Sequence, residues 1–179
     1  MRLGEDGWLE GARRVVSPNQ DARPASEVVS MLLLHSISLP PGEFGGPGIE
    51  DLFSNCLDCD AHPAFGQLRG VSVSAHFLIR RDGEVVQFVS TGARAWHAGV
   101  SRWRGREQCN DFSIGVELEG VDDAPFADAQ YEVLGGLVRA LRVRLSLTDL
   151  AAHSDVAPTR KTDPGLHFDW PRLLVSLSA

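Results

Sequence analysis

Apolar positions recur at two different periods along the 179-residue chain. From Val28 to His35 an almost unbroken apolar run puts Met31, Leu33 and His35 on one face at period two, which predicts a buried strand. Val73, Ala75, Phe77 and Ile79 alternate in the same way. With Glu84 to Val89 they predict a hairpin of strands 73–80 and 84–89, closed by a two-residue Asp82-Gly83 turn. Ser113 to Glu119 alternates cleanly, with Ile114, Val116 and Leu118 on one side and Gly115, Glu117 and Glu119 on the other. Leu134, Leu137, Val138, Leu141 and Leu145 then fall at helical spacing and predict a helix over 128–145 with Asp128 as its cap. Gly135-Gly136 inside it costs about 1 kcal/mol per glycine against alanine, so the pair calls for a neighbouring backbone packed close by. A short strand near 150–153 and a helix near 170–177 finish the chain. Between the first strand and the hairpin, Leu39 to Gly48 is dense in Pro and Gly. The irregular stretch runs to about Gly70, with at most a short helix near 49–54, and a loop that long is usually functional. Strands and helices alternate after the opening strand, which predicts an α/β class with a mixed central sheet flanked by helices, as one domain over 1–179.

Composition narrows the partners. The chain is 43% hydrophobic and 23% charged, which is ordinary for a globular protein. At this length about 70% of the unfolded surface is buried on folding, so no disulfide staple is needed. Seventeen Lys and Arg against 24 Asp and Glu leave a net charge of −7, which argues against nucleic acid as a partner. The N-terminus, Met1-Arg2-Leu3-Gly4-Glu5-Asp6-Gly7-Trp8, has acids where a signal peptide has its positive region. No apolar run approaches the about 20 residues that span a bilayer. Three cysteines, Cys56, Cys59 and Cys109, are an odd number and argue against a disulfide framework. These features predict a soluble protein of a reducing compartment that binds no membrane; they imply no obligate protein partner, and the cytoplasm as its setting follows only from the resemblance given below.

The chemistry rests on histidines and acids. His35 and His153 sit at the C-terminal ends of predicted strands, and Asp163 follows ten residues after His153, in Thr162-Asp163-Pro164-Gly165. Pro then Gly fits a type II turn with Asp163 as its first residue. Two imidazoles and a carboxylate suit a catalytic zinc that keeps its fourth position open, although spacing alone leaves three unrelated polar residues equally open. Glu117 looks into solvent or a cleft, and Glu119 lies on the same face about 7 Å along the strand. Like charges at that distance raise the proton affinity of the pair, which suits a general base or acid; a solvated strand face is the alternative. Arg160-Lys161 places positive charge two residues before Asp163. Cys56-x-x-Cys59 lacks a second pair and reads as structural or incidental. Trp96-His97 reads either as a stacking edge for a ligand or as a packed aromatic beside a hydrogen-bonded histidine.

Taken together, these segments resemble the zinc-dependent N-acetylmuramoyl-L-alanine amidases, most closely the cytoplasmic AmpD type that acts on 1,6-anhydromuropeptides. The resemblance is carried by Ser38-Leu39-Pro40-Pro41-Gly42-Glu43-Phe44-Gly45-Gly46-Pro47, Ala61-His62-Pro63, Val73-Ser74-Ala75-His76, Ile79-Arg80-Arg81-Asp82-Gly83-Glu84 and Arg94-Ala95-Trp96-His97-Ala98-Gly99. It continues through Cys109-Asn110-Asp111-Phe112-Ser113-Ile114-Gly115-Val116-Glu117-Leu118-Glu119-Gly120 and Arg160-Lys161-Thr162-Asp163-Pro164-Gly165, and covers nearly the whole chain in order.

The resemblance implies the fold shared with peptidoglycan-recognition proteins: a mixed sheet flanked by helices, with Zn2+ in a groove. It implies His35, His153 and Asp163 as zinc ligands. Glu117 would take a proton from water and return it to the leaving alanine nitrogen, while Lys161 stabilises the oxyanion at the lactoyl amide. Trp96 and His97 match residues that line the sugar and peptide groove. The chain departs from the family pattern at Ser36, Gly48, Ala64, Ser72 and Gln108. The last two replace arginines that hold stem-peptide carboxylates, for which Arg102, Arg104, Arg106 and Arg160 are the available substitutes. Two rivals remain: a muropeptide-binding protein without activity, and a glycosidase using Glu117 and Glu119, whose spacing is near the about 6.5–9.5 Å of inverting enzymes.

Overall fold

A computed structural model of the chain describes residues 1–178; Ala179, the last residue of the expected domain, lies outside the described residues. In chain order the elements are β1 (Arg13–Arg14), β2 (Gln20–Ala22), β3 (Met31–Ile37), α1 (Gly48–Phe53), β4 (Phe77–Ile79), β5 (Val85–Gln87), β6 (Ala93–Ala95), β7 (Arg102–Trp103) and β8 (Arg106–Glu107). They continue with β9 (Ser113–Glu119), α2 (Asp128–Arg142), β10 (Asp149–Ala152), α3 (His153–Val156) and α4 (Trp170–Leu177). Short 3-10 helices occupy Pro63–Leu68 and Cys109–Asp111. Six strands form the central sheet in the order β1-β5-β4-β9-β3-β10, and two small ribbons, β2-β6 and β7-β8, lie outside it. β4, β9, β3 and β10 run parallel while β5 is antiparallel to β4, so the sheet is mixed, as the alternation of elements predicted.

The two faces of the sheet have different jobs. Leu32, Leu34, Ile114, Val116 and Leu118 pack against Leu134, Leu137, Val138 and Leu141 of α2 and Leu173 of α4. Each of these leucines, buried, contributes about 1.5–3 kcal/mol. The opposite face carries Met31 and Leu33 against Ala98, Cys109, Phe112 and Val156. It also carries His35, Glu117 and Glu119, and the loops laid over it make all seven residues of β9 buried.

Several boundaries differ from the sequence reading. β3 starts at Met31 and runs two residues past His35, because β9 continues alongside it to the pairing of Ile37 with Glu119. The hairpin strands are shorter than the alternation suggests. Ser74 and His76 turn their amides to Trp96 and Gly115 instead, and Arg80 pairs with Glu84 across a loop of Arg81 to Gly83, with Gly83 at φ +89°. The α2 cap is Ala127, whose N–H is accepted by Gln130 Oε1 at 3.0 Å; Asp128 is the first helical residue and pairs with Arg172. α2 stops at Arg142, one turn before Leu145. Gly135 meets not backbone but side chains, nearest the Ser176 hydroxyl of α4, 2.7 Å from where a Cβ would sit, and Gly136 faces the end of the Met1 side chain at ordinary contact distance.

Candidate metal centre

Register brings the chemistry together. His35 on β3 pairs with Glu117 on β9, and Leu34 beside it pairs with Ala152, the last residue of β10. His153 therefore begins α3 next to His35. Asp155 accepts the Ala152 N–H at 2.8 Å, which turns the chain from strand into helix at that point. The chain then returns so that the Ser154 N–H reaches Asp163 O at 3.1 Å. The turn at Asp163 is closed one residue earlier than predicted, by Gly165 N–H to Thr162 O, and its Asp163–Pro164 peptide is cis.

Three donor atoms converge. His35 Nδ1 lies 2.9 Å from His153 Nδ1 and 3.2 Å from Asp163 Oδ2, and His153 Nδ1 lies 3.0 Å from the same oxygen. An ion bound tetrahedrally with bonds of about 2.0–2.1 Å has ligand edges of about 3.3 Å, so this slightly contracted triangle could hold a metal ion. The outer nitrogens are occupied too. His153 Nε2 lies 3.0 Å from Ala98 O and His35 Nε2 lies 2.9 Å from His97 Nδ1.

Electrostatics favour ligation. Burial pushes His35 down to about 4, against the opposing pull of Asp163, so its imidazole is neutral at neutral pH. Burial alone would raise the Asp163 carboxyl, but hydrogen bonds from His153 and His35 outweigh it and hold the group far below the usual carboxylate range. Glu117 goes the other way: burial first, then the Asp163 charge, pushes it well above the usual range, with Lys161 opposing. Its Oε2 is buried and has no hydrogen-bond partner. A carboxylate oxygen shut away from solvent and aimed at nothing in the chain is expensive unless a ligand or water completes it. Lys161 forms no ion pair among the described residues, yet its charge is felt by both Glu117 and His35.

Glu119 is not the partner of Glu117. Its Oε1 binds Arg80 at 2.6 Å and accepts the Gly45 N–H at 2.7 Å, while Oε2 accepts the Arg81 N–H at 3.2 Å. The like-charge pair expected from their spacing is thus replaced by an ion pair with Arg80, while the Gly45 amide ties β9 to the Gly-rich loop. The elevation of Glu117 comes from burial and Asp163.

The remaining sequence candidates are scattered around the triad. The Trp96 N–H donates to Ser74 Oγ, and its side chain joins Arg94 in lowering the Asp21 carboxyl. The Arg160 guanidinium donates to Ala98 O and Val100 O at 2.7 and 2.9 Å. It lines a cleft of about 680 Å³ together with Gly99, Arg102, Gln108 and Ala157. Cys56 and Cys59 are free thiols that bond carbonyls two residues back and join no metal group among the described residues. A Cβ at Gly48 would come within 2.6 Å of Leu39 O, so the loop packs too closely there for a larger residue. One residue escaped sequence reasoning altogether. Asp122 accepts from Ser36 at 2.8 Å and from Thr162, the immediate neighbours of His35 and Asp163, and so ties two ligand-bearing segments together. Nothing in its spacing marks it, because the link exists only after folding.

Known proteins resemble this chain in sequence and in fold over nearly its whole length. The model of the N-acetylmuramoyl-L-alanine amidase family matches residues 27–166. The 1,6-anhydro-N-acetylmuramyl-L-alanine amidase AmpD of Escherichia coli (strain K12) is 55% identical over 178 residues, 98% of this chain and 97% of that one. The crystal structure of a selenomethionine AmpD derivative superposes with a TM-score of 0.96 at 53% identity, covering 99% of each chain. AmpDh3 of Pseudomonas aeruginosa, in complex with an anhydromuramic pentapeptide, is 26% identical with a TM-score of 0.61, over 94% of this chain and 65% of that one. With the fold, the match over most of its length and a close relative spanning nearly all of it, this chain belongs to the N-acetylmuramoyl-L-alanine amidase family.

Proposed function

We propose that this chain, as one catalytic domain, is a zinc amidase of cytoplasmic peptidoglycan recycling. It hydrolyses the amide between the lactoyl group of 1,6-anhydro-N-acetylmuramic acid and the L-alanine of the stem peptide. The substrate class rests on the likeness to AmpD and on the anhydromuramic peptide bound by AmpDh3. The cytoplasmic setting accords with three free cysteines and with the lack, among the described residues, of any helix long and apolar enough to cross a membrane. The observation that carries the reading is the unpartnered Glu117 Oε2 beside a His-His-Asp triad.

His35, His153 and Asp163 would hold the ion, and a mixed nitrogen and oxygen set of three suits zinc with one position left for chemistry. Bound there, zinc supplies Lewis-acid polarisation of an amide carbonyl and makes water easier to deprotonate. Glu117, whose buried carboxyl binds a proton readily, accepts one from the attacking water at Oε2. It then delivers that proton to the alanine nitrogen as the C–N bond breaks. Lys161 holds positive charge near the carbonyl oxygen as it becomes an oxyanion. Arg160 lines the cleft beside α3, where Arg102, which has no ion pair among the described residues, offers a cation to a stem-peptide carboxylate, and Trp96 would present its indole to the substrate as a stacking edge.

Glu119, fully engaged by Arg80 and two backbone amides, cannot serve as the second carboxylate of a glycosidase. The test is His153→Ala. It should abolish zinc binding and release of alanine amine from an anhydromuramoyl-tripeptide together, measured by metal analysis and amine detection. An active, metal-free His153→Ala protein would overturn the assignment.

A further inference from the structure

Two consecutive residues, His97 and Ala98, face the outer nitrogens of both metal-binding histidines, and one side chain fixes the pair. His35 Nε2 meets His97 Nδ1 at 2.9 Å, and His153 Nε2 meets Ala98 O at 3.0 Å. The His97 and Ala98 N–H groups both donate to Oδ1 of Asn110, at 3.1 and 2.8 Å. A carbonyl can only accept, so Ala98 O requires a proton on His153 Nε2 and leaves Nδ1 bare. His97 could in principle donate or accept through Nδ1, and its own surroundings decide which. Its Nε2 lies 3.4 Å from Ser113 Oγ, a hydroxyl whose proton is already given to Cys109 O at 2.5 Å. Ser113 can therefore only accept from His97, which puts the His97 proton on Nε2 and makes Nδ1 the acceptor for His35. The ring has room because residue 115 is glycine: a Cβ there would lie 2.5 Å from His97 Cγ.

We infer that the Asn110-pinned segment His97-Ala98 is the orienting element of the metal centre. It sets both ligand histidines in the tautomer with Nδ1 free for the ion, and His97 is a positioning residue for His35. This rests on the metal reading above. Outer-shell acceptors of this kind fix ring orientation and raise ligand basicity, and losing one typically weakens metal affinity by about 10–100-fold.

The test measures zinc affinity of the chelator-stripped full chain against a chromophoric competitor, with the visible spectrum of the cobalt-substituted protein as a second readout. His97→Phe keeps a ring and removes the acceptor. It should weaken zinc by about 10–100-fold and alter the cobalt bands. His97→Asn, whose Oδ1 can stand where Nδ1 stood, should restore most of the affinity. Asn110→Ala should weaken zinc in the same direction, and Asn110→Asp, which keeps the acceptor, should weaken it less. Melting of the metal-free variants separates loss of fold from loss of orientation. Should His97→Phe fail to fold, the Asn110→Ala and Asn110→Asp comparison decides. Wild-type zinc affinity in folded His97→Phe and Asn110→Ala would overturn this inference and leave the metal reading standing. A wild-type chain that binds no zinc would overturn both.

Discussion

Replacing Glu117 by glutamine keeps the shape of the side chain and removes its capacity to accept a proton. We expect Glu117→Gln to bind zinc at wild-type stoichiometry while its turnover of anhydromuramoyl-tripeptide falls by about 10²–10⁴-fold. Turnover within a few-fold of wild type, by the same amine assay, would contradict the assignment of the base. Alternation on β9 put Glu117 and Glu119 on one face, which is what the structure shows, but their different fates were not legible there. Glu119 is neutralised by Arg80, thirty-nine residues away in sequence, and by amides of a loop that no periodicity describes. Glu117 has no such partner. The same limit hid His97's place behind His35 and Ala98's carbonyl behind His153. A main-chain acceptor leaves no residue-type signature, and a histidine next to a tryptophan gives no hint of which of its nitrogens will be used.

Among the elements, the strongly periodic ones were legible and the ones that aim the ligands were less so. β9 and α4 match their expected spans, and α2 begins where expected. Each is set by a repeated apolar face that buries against the same core. β3 falls on the apolar run that predicts it but with its ends shifted, because its C-terminal extent depends on pairing with β9 rather than on its own side chains. His35 is consequently two residues inside its strand instead of at the tip, while His153 stands just beyond β10 as the first residue of α3. The two reach each other because β3 and β10 are adjacent and parallel, an arrangement that supersedes the expectation of two strand ends. Asp163 arrives on a turn that begins at Thr162, one residue before its expected first position. What holds that turn in place is Asp122, through Thr162, together with Gly165, whose close approach to the Asp122 backbone leaves no space for a Cβ. The short strands β1, β2, β6, β7 and β8 carry two or three residues each, too few for any period to register.

At the scale of the molecule, an alternating chain of charges, Arg13–Glu50–Arg80–Glu119, joins β1, α1, the loop after β4 and the sheet. Hydrogen bonds from Arg13 first, and from Arg80, lower the Glu50 carboxyl from the ordinary 4.5 to about 2. A carboxyl lowered on folding contributes stability that is present above its unfolded value and lost as the pH falls through its folded one. The contribution should therefore be complete above pH 4.5 and fade towards pH 2. Exposure of Arg13 to solvent screens it, and we expect about 1–2 kcal/mol. Denaturant titrations at a series of pH values should show Glu50→Gln less stable than wild type at neutral pH, with the two curves converging near pH 2. A gap independent of pH would contradict this role for the ion-pair chain.

A metal held by His35, His153 and Asp163, and an amide as the bond that breaks, are the two features that define the proposed activity. The most direct measurement is a chelation and zinc-rescue assay of the purified protein with anhydromuramoyl-tripeptide, following both release of the alanine amine and formation of a new reducing end. We predict amine release that disappears on chelation and returns with zinc, and no reducing end under any condition. Amine release indifferent to chelation, or a reducing end in its place, would contradict the metalloamidase account.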